Sequence, residues 1–264
     1  MSTLPPPQNP DAAHFAAPVC HNCGADSTTP FCGRCGQKRA HRLDLGVVRA
    51  EAWQSYRVFE FGFVAAAWRL AHSPGHIARE FVLGARARHV HPLKLLLVAI
   101  GLLLLVLMRA NHLASQDANL GQAMELVRAY ANWSVSLGVF AITASSLLVL
   151  RWGQPFNLTE HLVLGVYVHF LVIVANIIVW LPALAFRAPW FLALHKQFMA
   201  WPMDGIEALI VLFAFRQFFR FDGHRHAWRL LLAAGSYVAI KYLLVRLYSM
   251  VVIKIVLAQW ATSA

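Results

Sequence analysis

The stretch LVLGVYVHFLVIVANIIVWL, residues 162–181, decides how the rest of the chain is read. It carries no charged residue over a length matching the ~20 apolar residues an α-helix needs to cross a bilayer core, and Pro182 closes it. Composition agrees: 59% of the 264 residues are hydrophobic, only 13% are charged, and mean hydropathy is +0.54. Soluble domains carry about 25% charged residues.

Working outward, four more apolar blocks follow the same logic. Residues 93–108 start behind Pro92 and stop at Arg109; residues 133–150 stop at Arg151. Residues 206–219 and 230–248 are interrupted or fringed by Glu207, Arg216, Lys241 and Arg246. The expected fold class is therefore an all-α membrane protein with about five transmembrane helices. The bundle is expected over 92–260, preceded by a proline-rich arm (1–18), a cysteine head (19–38) and basic amphipathic linker helices (39–91). No tandem repeat stands out, and the N-terminus has neither the basic nor the apolar region of a secretory signal.

The net charge of +11 sets nucleic-acid binding against the basic bias of cytoplasmic loops. Position favours the second: eleven of the 23 basic residues lie between Arg34 and Lys94, and Arg216, Arg220, Arg225 and Arg229 share one short loop. The 110–132 loop has one basic residue, Arg128. This asymmetry predicts a cytoplasmic N-terminus and, with five spans, an external C-terminus. The 182–204 loop, with Trp190, Phe191 and Trp201, reads as an interfacial stretch on the far face. The interleaved acids and the lack of a recognition motif argue against nucleic acid.

The linker is helical in rhythm. Leu45, Val48, Ala52, Tyr56 and Phe59 recur at helical spacing, with Arg49, Arg57 and Glu60 off that stripe. Ser73-Pro74 is a helix start and Gly84 a stop. Such a basic amphipathic run either lies in the lipid interface or packs against the cytoplasmic ends of the bundle.

All four cysteines fall in two CxxC pairs, Cys20/Cys23 and Cys32/Cys35, each followed by glycine, Gly24 and Gly36. Two such pairs offer four thiolates to one tetrahedral ion, which predicts a closed, structural Zn²⁺ site. Redox dithiols or disulfides are the competing readings; the first lacks a thioredoxin-like context and the second an oxidising compartment. His21 is left outside the ligand set.

The third block, with its leading edge, carries Glu160, His161, His169 and Asn176. At ~100° per residue the two histidines and Asn176 share a helix face, giving either a functional polar site or a hydrogen-bonded packing stripe. Glu160 and His161, at the cytoplasmic mouth, are expected to reach water. His72, His76, His89, His91, His224 and His226 map to the same boundary and could converge with them or be satisfied separately. Lys241 and Arg246 could pair with Glu160 or Glu207, or snorkel. No GxSxG, P-loop, HExxH or dinucleotide fingerprint occurs.

The head from Cys20 to Lys38, the run from Ser73 to Phe81 with Gly84–Arg88 and His91–Lys94, and Thr159–Leu162 through His169-Phe170 resemble an uncharacterised bacterial membrane-protein family catalogued as a domain of unknown function. Arg216–Phe219 is similar to a later basic-aromatic element of it. The resemblance implies a several-span protein of the inner membrane with a cytoplasmic zinc ribbon, and supplies no activity. The expected function is a non-enzymatic adaptor or regulator that sits in the lipid bilayer and meets a cytoplasmic protein through its head. The alternatives are a small transporter or channel subunit using the His161/His169/Asn176 face, or an interfacial enzyme using Glu160 and nearby histidines.

Overall fold

The computed structural model describes residues 9–55, 63–109, 136–151, 154–186, 188–221 and 226–263. The described secondary structure is helical: α1 (Ala12–Ala16), α2 (Leu45–Ser55), α3 (Phe63–His72), α4 (Pro74–Val82), α5 (Pro92–Arg109), α6 (Leu137–Leu150), α7 (Leu158–Ala185), α8 (Pro189–Phe219) and α9 (Ala227–Ser263). Among the described residues there is no strand, only two isolated bridges in the cysteine head, Val19 with Asp26 and Phe31 with Lys38.

Helix α7 is the axis of the bundle, packing against α5, α6 and α8. It starts cleanly because Asn157 and Glu160 form a capping box: the Asn157 side chain accepts from the Glu160 amide, and the Glu160 carboxylate accepts from the Asn157 amide. Its core-facing residues Leu164, Tyr167, Val168 and Phe170 are almost fully buried.

Among the described residues two helices are long and apolar enough to cross a membrane: α5, with mean hydropathy 2.2, and α7, with 2.6. Helix α6 is apolar but shorter. Among the described residues, the expected count of about five spans thus falls to two on length and apolarity. The expected 206–219 and 230–248 blocks lie inside much longer helices, α8 with 31 residues and α9 with 37. Glu207 and Arg216 in the first, and Lys241, Arg246 and Lys254 in the second, dilute their apolarity. The expected 182–204 loop is corrected as well: most of it is the first half of α8, continued through the internal Pro202. Arg128 and the 110–132 loop, Tyr56 to Glu60, and His224 with Arg225 fall outside the described residues.

The linker packs against the bundle. Val48 and Ala52 of α2 are buried, whereas Leu45 is exposed. Ser73 takes the N-cap position with Pro74 first in α4, but its hydroxyl makes no cap bond. Beyond α4, Gly84 adopts φ 101°, a left-handed conformation that glycine reaches without strain. Helix α4 lies against α7 and α8. Gly75 permits this approach: a Cβ there would collide with the Ala214 carbonyl and stand 2.6 Å from the Phe218 amide nitrogen. The Gly75 amide donates to Gln217 Oε1 at 3.0 Å, and Arg79 donates to the Phe218 carbonyl at 2.6 Å while stacking over Phe156. Gly75→Ala is therefore expected to cost about 1–3 kcal/mol through overpacking against backbone that cannot yield. Gly101→Ala, with nothing within 4 Å of its added Cβ, should be neutral or mildly stabilising. Thermal unfolding of the two variants in detergent distinguishes these outcomes; equal midpoints would contradict the packing account.

Candidate functional site

The cysteine head is built from two copies of one turn. Gly24 N donates to Cys20 O at 2.8 Å, and Gly36 N to Cys32 O at 2.8 Å; Cys20 N donates to Ala25 O at 2.8 Å, and Cys32 N to Gln37 O at 2.9 Å. Ser27 N to Pro18 O and Arg39 N to Pro30 O close the outer pair. Every bond in residues 18–27 recurs twelve positions later in 30–39. The unit is a tandem repeat too short and too divergent to stand out in the sequence. Gly24 and Gly36 carry φ of 73° and 71°, which explains the glycine after each second cysteine.

The four sulfurs all lie within 4.8 Å of one another. Cys20 to Cys35 and Cys23 to Cys32 are each 3.6 Å apart, and all four cysteines are free. A disulfide would need about 2.05 Å. A tetrahedral ion with metal–sulfur distances of about 2.3 Å gives sulfur–sulfur edges of about 3.8 Å. The donor set therefore fits one metal ion. Backbone amides of Cys35 and Arg34 draw the Cys32 thiol down to about 6, whereas burial pushes Cys20 up to about 12.

The head is clasped to the turn after α4. Gln37 donates to the Gly84 carbonyl at 2.7 Å and accepts from the Arg86 and Ala87 amides at 3.0 and 2.8 Å. His14 bonds the Leu83 carbonyl at 2.8 Å and stacks on His21. Arg86 reaches Glu51 and the His41 carbonyl, and Arg88 reaches Asn22. Burial, then the neighbouring His14, lowers His21 to about 4, so it is a neutral packing group beside the cysteines.

Glu160 and His161 do not form the water-accessible pair expected. Glu160 is fully buried. Its Oε1 accepts from Arg42 Nε at 3.0 Å, and its Oε2 from Arg42 Nη2 at 3.3 Å and the Asn157 amide at 2.7 Å. The carboxylate is spent on the capping box and an ion pair with the linker. His161, also buried, meets the Ser146 hydroxyl at 2.5 Å on α6. The boundary histidines have different partners: His72 the Trp68 carbonyl, His89 the Glu80 carboxylate at 2.7 Å with His76 also near that carboxylate, His91 the edge of Phe81, and His226 the stacked ring of Phe221. His89 in turn keeps the Glu80 carboxyl below its ordinary value.

Further along the bundle the remaining stripe residues do meet. His169 packs on α6 at Gly138, where a Cβ would run into its ring, and it borders a cavity of about 240 Å³. Asn176 borders the same cavity and lies 3.5 Å from Glu207 Oε1. Glu207 Oε2 accepts the Tyr237 hydroxyl at 2.7 Å and the Lys241 ammonium at 2.5 Å; Lys241 also donates to Asp204 at 2.7 Å. Sequence reasoning had Glu207 and Lys241 as interruptions of apolar blocks and as one possible pair; the pairing is real. It missed Tyr237 and Asp204, and it missed Arg42 as the partner of Glu160. The available signal was the rule that ionisable groups inside apolar helices seek partners in the bundle interior.

The sequence motifs at the head-side end thus form one structural joint: the 73–88 run meets the cysteine head on one side and the end of α8 on the other. No curated protein and no solved structure matches the chain. Residues 60–104, which include α3, α4 and most of α5, match the family model described as Protein of unknown function (DUF3667).

Proposed function

We propose that the chain is a multi-pass protein of a bacterial inner membrane that moves or gates a small charged solute through the cavity bordered by His169, Asn176, Glu207, Tyr237 and Lys241. The observation carrying this reading is the Glu207–Lys241–Tyr237 network, with Glu207 and Tyr237 buried and Lys241 partly exposed, bordering that cavity. Its depth supports it. At about 1.5 Å per residue, His169 lies about 17 Å from the start of α7, Glu207 about 18 Å from the end of α8, and Tyr237 about 15 Å from the start of α9. These levels match the middle of a ~30 Å hydrocarbon core. Ionisable groups there are costly, by about 2.5–3.5 kcal/mol each on insertion scales, and the default explanation is function. The cavity is bordered by residues of α5 to α9, and in this reading the N-terminus is cytoplasmic.

In this reading the head is a structural zinc site. Four thiolates leave no open coordination position for catalysis, and its clasp on residues 83–88 makes it part of the cytoplasmic end of the bundle. Glu160 is fully engaged by its cap and Arg42, which removes the geometric basis for an interfacial enzyme. An adaptor role keeps one supporting feature, the exposed Phe31 (59%) on the second knuckle, where a cytoplasmic protein would dock.

The test is electrical. Purified protein is reconstituted in liposomes adsorbed on a solid-supported membrane and exposed to concentration jumps of small ammonium ions, amino acids, carboxylates and inorganic ions. Wild type is expected to give a transient current with one solute class, lost in Asn176→Phe, which fills the cavity. Silence across the whole panel would count against the transport reading and leave the adaptor.

A further inference from the structure

We propose that α3 is an in-plane anchor whose Val64–Trp68–Ala71 face sits in the headgroup layer of the cytoplasmic leaflet, on anionic lipid. This goes beyond the transport reading and uses only its placement of α5 across the membrane.

The sequence of α3 sets up two faces. At ~100° per residue Val64, Trp68 and Ala71 fall within ~60° of one another, and Ala66 and Leu70 lie on the opposite side. Leu70 is 1% exposed, whereas Val64 is 79% and Trp68 69% exposed. The inner face packs on α4 and α7. The outer face is a second apolar stripe with no part in that core, and an apolar stripe on a helix calls for an apolar neighbour.

Position in the bundle identifies the neighbour. Ala66 and Leu70 share a narrow crevice with Val90, Leu95 and Tyr167, and the Tyr167 hydroxyl donates to the Val90 carbonyl at 2.9 Å. Val90 and Leu95 flank the start of α5 at Pro92. Helix α3 thus lies beside the first turn of a helix apolar enough to cross a membrane, at the level where headgroups give way to hydrocarbon. Just beyond that turn α5 exposes Leu97, Val98 and Leu102, so the lipid that covers them continues onto α3. With ten residues, α3 is about 15 Å long, half of a ~30 Å core, and lies along the surface rather than across it. Tryptophan is enriched at this level because its ring is apolar with one polar edge.

Charge then selects the lipid. Residues 63–94 carry Arg69, Arg79, Arg86, Arg88 and Lys94 against Glu80 alone. Arg86 and Arg88 pair with Glu51 and Glu80, and Arg79 is buried. Arg69 is exposed, ~100° round the helix from Trp68, at the polar edge of the outer stripe. From there a guanidinium reaches lipid phosphate while the indole sits below it. A second copy of the chain is a poorer occupant, since a stable protein interface takes about 20–30 residues a side and this stripe offers three.

The experiment places p-benzoylphenylalanine at Val64, Trp68, Leu102 or Phe31 of the full chain in nanodiscs of equimolar phosphatidylglycerol and phosphatidylcholine. After irradiation the adducts are identified by mass spectrometry. Lipid adducts are expected at 64, 68 and 102 but not at 31. At 64 and 68 phosphatidylglycerol should outnumber phosphatidylcholine about fivefold, the factor equivalent to the about 1 kcal/mol that one basic residue contributes beside an anionic surface. Arg69→Gln should bring that ratio toward one. Adducts between chains in place of lipid at 64 and 68, no lipid there while Leu102 is labelled, lipid at Phe31 as abundant as at Trp68, or equal capture of the two lipids would each overturn the proposal. Loss of lipid adducts at Leu102 as well would remove the transmembrane placement of α5 and this inference with it. Lipid adducts at 64 and 68 without any solute current would sink the transport reading alone. Wild type supplies a second measurement that needs no variant to fold: hydroxyl-radical footprinting in the same nanodiscs should oxidise Phe31 and spare Trp68, although indole is the more reactive ring. Oxidation of Trp68 as fast as Phe31 would overturn the anchor.

Discussion

Cys32→Ser is expected to abolish metal binding and to free the head from the turn after α4. Structural zinc in small four-ligand domains supplies about 10–16 kcal/mol of apparent binding free energy near neutral pH, and that energy is the folding energy of the site. The two knuckles have little else to hold them. Cys20 and Cys32 are themselves among the buried residues of the head, and each knuckle closes on few backbone bonds. Losing one thiolate leaves three donors and an open position. Zinc per chain, measured by elemental mass spectrometry on purified protein, should fall from one to near zero, and limited proteolysis should begin to cut within residues 17–41. Gln37→Ala is the informative partner. It keeps all four thiols but removes three bonds of the clasp, each worth about 1 kcal/mol. It should retain its zinc and still become protease-sensitive. Binding also requires thiolates, so zinc competes with protons and loading weakens as pH falls, the more steeply once Cys32 itself protonates near 6. A Cys32→Ser protein that still holds one zinc would contradict the assignment.

The second large effect is expected in the bundle. Lys241→Met removes the ammonium shared by Glu207 and Asp204 and leaves Glu207 buried with only the Tyr237 hydroxyl on its Oε2. Breaking one side of a buried ion pair costs about 3–5 kcal/mol, because the surviving charge has lost its partner. The Lys241 side chain is 26% exposed against 6% for Glu207, which places the cost toward the lower end. Denaturant unfolding in mixed micelles should show it directly. Glu207→Gln in the same background removes the stranded charge, so the double variant should recover much of the loss. The expected non-additivity is about 0.5–3 kcal/mol, the range for residues in direct contact. Strict additivity would mean that the pair is not coupled and that the network is an accident of proximity.

These two predictions differ in where their evidence first becomes legible. The four-thiol cluster is local. Its cysteines lie within sixteen residues, and the loop between the pairs is short, so closing it is cheap and spacing alone identifies the candidate donors. The start of α4 at Ser73-Pro74 and the apolar identity of α5 and α7 are equally local, because the φ that proline fixes at the first helical position and lipid-length hydropathy depend on neighbours in sequence. The Glu207 network is different. Each of its residues is visible in the sequence only as a blemish on an apolar block.

The same limit explains the misreading of Glu160. Its residue type and its place at the leading edge of an apolar block invite a functional reading, and nothing near it in sequence supplies a counter-charge. Its partner Arg42 lies 118 positions away, in a linker whose packing only the folded chain reveals. Helix lengths miscarried for a related reason. Hydropathy marks where a helix would be comfortable in lipid, whereas α8 and α9 continue well past those limits, as helix does wherever backbone bonds and neighbouring helices sustain it.

The sequence by itself determined the helical, lipid-length character of α5 and α7, the four clustered thiols and the start of α4, because short-range chemistry is sufficient for each. Only the tertiary structure decided that the head is clasped at Gln37, that Glu160 is a cap and an ion-pair partner, and that His169, Asn176, Glu207, Tyr237 and Lys241 border one cavity. Those are pairings across tens to more than a hundred residues, and such pairings follow from how helices pack, which spacing along a chain does not encode.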